Sequence, residues 1–266
     1  MEHLTSPFRI WTPGAMLPNM ETIGTLVHAW LDAADVNAAS AARRAGVSPS
    51  TLHRVLHDRV DPSVGTLSEI ALACGFSLDL AIAPLSDRFA AAAARTMLED
   101  GYRPPEDSEV AAWQRRLVRW AGEDDPIGIV QAAALASSPL RREQVVLFSG
   151  EETLARLASA GDAAHGLWAL SGAAGLDQSS SVAAPVTILW CEDPVRVSHM
   201  LTNSALTPAR HASRASVAVV GAEPELFYDS FVVGGIRFAA PIQILLDCIA
   251  QGGAVAEAAL QEARTW

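Results

Sequence analysis

Side chains that can contact a phosphate or the edge of a base are concentrated between residues 37 and 60. This stretch contains a single acidic residue, Asp58, in a chain whose formal net charge is −11. Its four arginines are Arg43, Arg44, Arg54 and Arg59. Basic side chains that neutralise phosphates supply most of the non-specific affinity of proteins for nucleic acid. Nucleic-acid binding by this acidic chain must therefore be local to the basic stretch.

Two short helices joined by a sharp turn are expected to position these side chains. Gly46 can adopt the positive φ that ends a helix sharply, after a first helix over residues 39–45. Ser48 is a favoured N-cap and Pro49 suits the first position of a second helix. Inward-facing apolar side chains on that helix are Leu52, Val55 and Leu56. A helix-turn-helix of this kind places its second helix in the major groove of DNA.

The outward side of the second helix would then carry Ser50, Thr51, His53 and Arg54. Arg54 can pair with guanine or with a phosphate, and Thr51 and His53 can equally serve only to shape the helix. His53 and His57 have the spacing of a helical metal pair, but DNA contact or simple exposure is favoured because no further ligand is near. The predicted DNA-binding residues are Arg43, Arg44, Ser48, Pro49, Ser50, Thr51, His53, Arg54, His57 and Arg59.

The pattern of residues 46–75 resembles that of the lambda and 434 repressors, the Xre or HTH_3 type of helix-turn-helix regulator. The likeness rests on Gly46 to Leu56, Arg59, Pro62-Ser63, Thr66-Leu67, Ile70-Ala71 and Cys74-Gly75. It implies that Ser63 or Thr66 caps the next helix, that Gly75 ends it and that Arg59 approaches the phosphate backbone. Two departures alter base reading: Pro49 replaces a frequent glutamine, and His57-Asp58 replaces a common Asn-Gly turn.

Composition predicts a folded cytoplasmic protein. Half of the 266 residues are hydrophobic, which is enough for a large core, and no apolar run approaches the roughly 20 residues that span a bilayer. The N-terminus has neither the basic nor the apolar region of a secretion signal. Cys74, Cys191 and Cys248 are widely spaced within apolar stretches, which predicts buried thiols rather than disulfides or a metal site.

The chain is expected to have an α+β architecture in four parts. An N-terminal arm (1–20), with Trp11 able to dock on the body, precedes a helix-turn-helix domain (21–85) that starts with a helix at Glu21 and includes a strand at 77–83. A helical connector (86–125) contains two helices and ends at an acidic turn (122–126). A mixed α/β domain (126–266) follows, with helices at 127–136, 152–159, 242–250 and 254–264 and strands at 145–148, 166–170, 186–191, 216–220 and across Gly234-Gly235.

The last domain lacks the common catalytic motifs, so no enzyme activity, cofactor or metal is predicted. The acidic pairs Asp124-Asp125 and Glu192-Asp193 each precede a proline and fit loop capping. Residues 167–176, 186–194, 216–220 and 236–247 resemble the C-terminal part of AbiEi-type antitoxins of type IV toxin–antitoxin systems. That likeness implies a nucleotidyltransferase-like, non-catalytic fold and a cognate toxin partner. Nucleotidyltransferases bind metal through an Asp-x-Asp pair, and the single Asp162 cannot form such a pair. Asp247 is interpreted as a helix residue with a local structural partner.

Three functions remain open at the level of sequence. The favoured one is a transcriptional regulator, a repressor or autoregulatory antitoxin, of which two copies bind a palindromic DNA operator as a homodimer. The second is a ligand-responsive regulator in which Trp168, Trp190 and Cys191 line a pocket, although these side chains more often fill a core. The third is a DNA-targeted enzyme, which would require a carboxylate cluster for Mg²⁺ in the last domain.

Overall fold

The computed structural model describes residues 22–151, 153–176, 185–203 and 206–265, and the chain divides after Ile82 into two compact units. The predicted N-terminal arm, including Trp11, lies outside the described residues. We call residues up to Ile82 the N-terminal unit and residues from Ala83 the C-terminal unit. Each has its own buried hydrophobic cluster.

The N-terminal unit consists of four helices within its described part: α1 (Ile23–Ala33), α2 (Ala38–Arg44), α3 (Pro49–Leu56) and α4 (Val64–Ala73). Each begins at a side-chain cap that accepts a backbone N–H of the first turn, supplied in order by Thr22, Asn37, Ser48 and Ser63. Their inward faces form one core, built from Leu26, Val27, Trp30, Leu31, Ala41, Ala42, Leu52, Val55, Ile70 and Ala71. The helices predicted for residues 21–56 are thus present with nearly the expected bounds.

The strand predicted at residues 77–83 is wrong. These residues have no regular structure, and Leu80 and Ile82 are 65% and 100% exposed. Apolar and polar residues do alternate here, but a strand is stabilised by a neighbour that pairs with its backbone. The described part of the N-terminal unit is helical and offers no such neighbour.

The C-terminal unit has helices and a mixed seven-stranded sheet. Its helices are α5 (Arg88–Leu98), α6 (Ser108–Ala121), α7 (Pro126–Ala136), α8 (Leu154–Ala163), α9 (Pro194–Thr202), α10 (Pro241–Gln251) and α11 (Gly253–Ala263). Its strands are β1 (Val146–Ser149), β2 (Trp168–Ser171), β3 (Thr187–Cys191), β4 (Thr207–Ala209), β5 (Val217–Gly221), β6 (Phe231–Val233) and β7 (Ile236–Phe238). This is the expected mixed α+β composition, with α9 and β4 as additional elements.

The strands lie in the order β4-β1-β5-β3-β2-β7-β6. β3 pairs with β5 and β2 with β7 in parallel, and the other neighbours are antiparallel. Nearly all residues of β2, β3 and β5 are buried, and successive strand residues point to opposite faces, so both faces of the central sheet are covered. Gly234 and Gly235 join β6 to β7 with φ of 59° and 82°, which confirms the predicted two-residue hairpin turn.

The acidic turn at residues 122–126 does not separate two units. Asp125 accepts the Gly128 N–H at 2.9 Å and caps α7, and α5, α6 and α7 pack on one another. The side chain of Asp87 accepts from Trp113 Nε1 at 2.8 Å, while its backbone N–H donates to the Ala136 carbonyl at 2.7 Å. The segment predicted as a helical connector, 86–125, is therefore part of the C-terminal core, and the chain divides after Ile82 instead.

Candidate DNA-binding surface

The turn between α2 and α3 is built by local backbone hydrogen bonds. Gly46 has a φ of 67°, a left-handed conformation that glycine adopts without the steric cost of a Cβ. The Val47 N–H reaches back to the Ala42 carbonyl at 3.0 Å, and the Ala45 N–H donates to the Ala41 carbonyl at 2.8 Å. These bonds satisfy carbonyls at the end of α2 and redirect the chain into α3.

Three hydroxyl groups cluster at the start of α3. Ser48 Oγ accepts the Thr51 N–H at 3.0 Å and lies 2.8 Å from both Ser50 Oγ and Thr51 Oγ1. Pro49 occupies the first helical position, where its missing N–H leaves no backbone group unsatisfied. Ser48 and Pro49 thus act as predicted at the helix start. The half-buried Thr51 takes part in the cap, whereas Ser50 is exposed.

His53, Arg54 and His57 lie on the exposed side of α3, opposite the buried Leu52 and Val55. The rings of His53 and His57 stack with centroids 4.1 Å apart. His57 Nδ1 donates to the His53 carbonyl at 2.8 Å, because a carbonyl oxygen can only accept. No cluster of three or more metal-ligating side chains occurs in the described part of the chain, so the pair has no third ligand.

The four arginines of the basic stretch are all exposed but differ in their contacts. Arg54 and Arg59 are exposed, and within the described residues their guanidinium groups have no hydrogen-bond or ion-pair partner. Arg43 is also exposed and donates to Ser40 Oγ at 3.2 Å. Arg44 points elsewhere, since its guanidinium donates to the Ala73 carbonyl at the end of α4 at 3.4 Å. Arg54 therefore lies on the exposed side of α3, Arg59 follows three residues after the end of that helix, and Arg44 is bonded to the end of α4.

Asp58, the single acid of the basic stretch, is tied to the first turn of α1. Its carboxylate accepts the Gly24 N–H and the Thr22 hydroxyl, each at 2.8 Å, and its φ is 52°. A Cβ at Gly24 would lie 2.8 Å from both the Asp58 carboxylate and the Leu56 carbonyl, so this close approach requires glycine. The positive end of the α1 dipole thereby offsets the charge of Asp58. Sequence analysis missed this contact because its partners are more than thirty residues apart.

Ser63 Oγ accepts the Thr66 N–H at 3.1 Å, so Ser63 and not Thr66 caps α4. The helix ends at Cys74, and Gly75 follows with a φ of 82°. Both observations agree with the repressor-like pattern. The loop and helix that follow α3 are therefore arranged as that pattern implies.

In the C-terminal unit, the tryptophans considered as pocket residues fill the core. Trp168, Trp190 and Cys191 are buried, and Trp168 Nε1 donates to Asp162 at 2.8 Å. Burial raises the pKa of the Cys191 thiol to about 12, as expected for an inert core cysteine. The three cysteines are all buried and free, as the sequence predicts.

Asp247 is buried at the centre of the C-terminal unit. Its carboxylate accepts from the Ser171 hydroxyl at 2.6 Å, from Trp190 Nε1 at 2.7 Å and from Gln243 Nε2 at 2.9 Å. Removal from water raises its pKa to about 6, although the three hydrogen bonds favour the charged form. Gln243 is the local partner expected for this helix residue, whereas Ser171 and Trp190 are additional partners from β2 and β3.

Comparison with known proteins identifies one part of the chain. Residues 27–80 match the helix-turn-helix family HTH_3, while no curated protein and no solved structure matches the chain. The resemblance of the C-terminal unit to AbiEi-type antitoxins and to nucleotidyltransferases gains no support from these comparisons. None of the described helices has the length and apolar character needed to cross a bilayer. Residues 27–80 are therefore a helix-turn-helix domain of the HTH_3 type, which indicates a DNA-binding transcriptional regulator.

Proposed function

We propose that this protein is a sequence-specific repressor that binds an operator through α3. The observation that carries the proposal is the exposed face of α3, where the unpaired Arg54 and the stacked His53 and His57 follow a capped N-terminus in an otherwise acidic chain. The N-terminal residues of a recognition helix are those that reach base edges in the major groove. Ser50, His53 and Arg54 are the side chains at that position.

Other side chains would fix the register of the protein on DNA without reading bases. Arg43 lies in the last turn of α2 and Arg59 follows α3, and an exposed guanidinium at either place can pair with a phosphate. Thr51 and Ser48 hold the helix start in shape, and the exposed N-terminal turn favours an anion. Arg44 would contribute through α4 rather than by direct contact with DNA.

Pro49 changes what the first position of α3 can read. Its ring has no hydrogen-bond donor or acceptor, so it cannot replace the paired contact that a glutamine amide makes with adenine. An apolar contact with a thymine methyl group is the one form of base reading left to it. We therefore expect the base facing Pro49 to be a thymine or to be unselected.

Two copies on an inverted repeat would give the specificity that one short helix lacks. Three reading side chains cover only a few base pairs, and each good base contact discriminates by about 1–3 kcal/mol. A dimer doubles this number and fixes half-sites about one helical turn apart. We propose further that the C-terminal unit acts without catalysis, an inference supported by the structural role of Asp247.

Selection of bound sites from random DNA tests the proposal. Full-length wild-type protein should enrich an inverted repeat at moderate salt, and failure to enrich any motif would refute the proposed function. Arg54→Ala distinguishes a base contact from a phosphate contact. Loss of sequence preference at one position of each half-site indicates that Arg54 contacts a base. Uniformly weaker binding with a smaller salt dependence indicates that it contacts a phosphate. Arg210→Ala removes an exposed arginine from the C-terminal unit and should leave the motif and the affinity unchanged.

A further inference from the structure

The C-terminal unit contains a cavity of about 200 Å³ that the proposed DNA-binding function does not use. One side is formed by α5 and the loop before α6, and the other by Arg142, by residues 222–226 after β5 and by Gln243 of α10. Its volume is below the roughly 300–1,000 Å³ of pockets that hold drug-sized molecules. A ligand of this cavity must therefore be small.

Arg142 stands out among the side chains that line the cavity because no carboxylate lies within ion-pair distance of it in the described residues. By contrast, Arg88 pairs with Glu223 at 2.7 Å and Arg95 with Glu99 at 3.0 Å. A part-buried cation with no carboxylate in contact loses hydration, and a bound anion would offset that cost. Arg142 is therefore the side chain in this cavity whose positive charge a bound anion would neutralise.

The remaining contacts of Arg142 hold its guanidinium in place without satisfying it. One terminal nitrogen donates to the Gly221 carbonyl at 3.1 Å, and the guanidinium carbon lies 4.8 Å from the centre of the Trp190 ring. The Nε–H is buried and has no hydrogen-bond partner among the described residues. Burial lowers the pKa of Arg142, and the charge of Asp247 partly opposes that change. An arginine keeps its proton at neutral pH, so the unmatched charge remains.

The position of the cavity in the fold is one where ligands often bind. Gly221 ends β5, which runs parallel to its neighbour β3, and the chain turns from β5 directly into the wall of the cavity. In open, mostly parallel α/β sheets ligands occupy the crevice outside the carboxyl ends of the strands, and β3 and β5 form a parallel pair of this kind within the mixed sheet. A second, more open depression beside the end of β3 shares Arg142 with the first.

We propose that this cavity binds a small monocarboxylate whose carboxylate group pairs with Arg142. One unpaired guanidinium matches one negative charge, and its planar fork suits a carboxylate. Phe89, Val110 and Leu226 provide apolar walls for the rest of the ligand. Glu223 and Glu225 also line the cavity and disfavour a second negative charge on it. This inference concerns the C-terminal unit alone and does not depend on DNA binding.

Titration of the full-length protein with 4-fluorobenzoate and with its neutral analogue 4-fluorobenzamide, followed by ¹⁹F NMR, tests the proposal. The two probes have nearly the same shape and differ in charge. Wild-type protein should bind the carboxylate saturably and at least about tenfold more tightly than the amide, as expected for a charge-assisted pair. Absence of saturable 4-fluorobenzoate binding, or equal binding of the two probes, would overturn the proposal.

Three variants locate the site. Arg142→Met should abolish the preference for the carboxylate, Ala92→Leu should weaken both probes by filling the cavity, and Arg210→Met should change neither. Arg142→Met should also retain or raise the melting temperature, because it replaces a part-buried charge that has no ion-pair partner with an apolar side chain. Retained 4-fluorobenzoate binding in Arg142→Met or in Ala92→Leu would refute the assignment. Displacement of the probe by an equal concentration of inorganic phosphate would refute its restriction to carboxylates.

Discussion

Replacement of Asp58 by asparagine, glycine or alanine separates its hydrogen bonds from its backbone conformation. Its two bonds to the first turn of α1, one exposed and one part-buried, are each 2.8 Å long and contribute about 2 kcal/mol together. Its left-handed φ of 52° costs alanine about 1 kcal/mol more than glycine. Asparagine at this position would keep an acceptor oxygen and tolerance of that φ. We expect destabilisation of the N-terminal unit by less than about 1 kcal/mol for asparagine, about 2 for glycine and about 3 for alanine.

Hydrogen exchange followed by mass spectrometry can measure this order locally in the full-length protein. Peptides that cover α1 and α3 should exchange roughly 100-fold faster in Asp58→Ala, since each 1.4 kcal/mol changes an opening equilibrium about tenfold. Peptides from residues 83–265 serve as the internal control and should not change. Equal exchange in the glycine and alanine variants would show that the backbone conformation contributes nothing. A glycine variant as protected as wild type would refute the energy that we assign to the two hydrogen bonds.

Two further predictions concern the helix cap and the buried carboxyl group. Ser48→Ala should lower the free energy of unfolding by about 1 kcal/mol in thermal melts and should also weaken DNA binding. Ser63→Ala should lower stability by a similar amount with less effect on DNA affinity. Equal losses of affinity in the two variants would contradict the role of the α3 N-terminus. Asp247 keeps its proton in the folded state up to about pH 6 but releases it near pH 4 when unfolded, so its stabilising effect is lost as pH rises between these values. Relative to Asp247→Asn, the free energy of unfolding of the wild-type protein should fall by about 3 kcal/mol between about pH 4 and pH 7. The same pH dependence of unfolding in both proteins would contradict this.

Features that depend on local chemistry could be predicted from the sequence. Ser48-Pro49 fixes the start of α3, and Gly234-Gly235 fixes the β6–β7 turn, because caps and turns are decided by residues within one helical turn or hairpin. The acidic residues that precede prolines illustrate the same point. Asp193 accepts the Arg196 N–H at 2.9 Å and caps α9, as its interpretation in terms of loop capping requires.

Features that depend on distant partners could not be predicted in this way. The alternation at residues 77–83 suggests a strand, but only the fold determines whether a neighbouring strand exists. The acidic turn at 122–126 has the composition of a linker, although the helices on both sides share one core. In the candidate site, the partners of Asp58 and the different direction of Arg44 depend on α1 and α4.

The contact between Asp58 and α1 also determines where an isolated DNA-binding fragment has to start. The part of the chain recognised as a helix-turn-helix begins at residue 27, whereas both donors to Asp58, Thr22 and Gly24, precede it. A fragment cut at residue 27 would lose the first turn of α1 and leave the Asp58 carboxylate uncompensated two residues after α3, the helix that we propose contacts DNA. Transfer of this helix-turn-helix domain to another protein therefore requires a boundary upstream of Thr22. A shorter fragment should bind DNA less well even though it keeps the side chains that we propose contact bases.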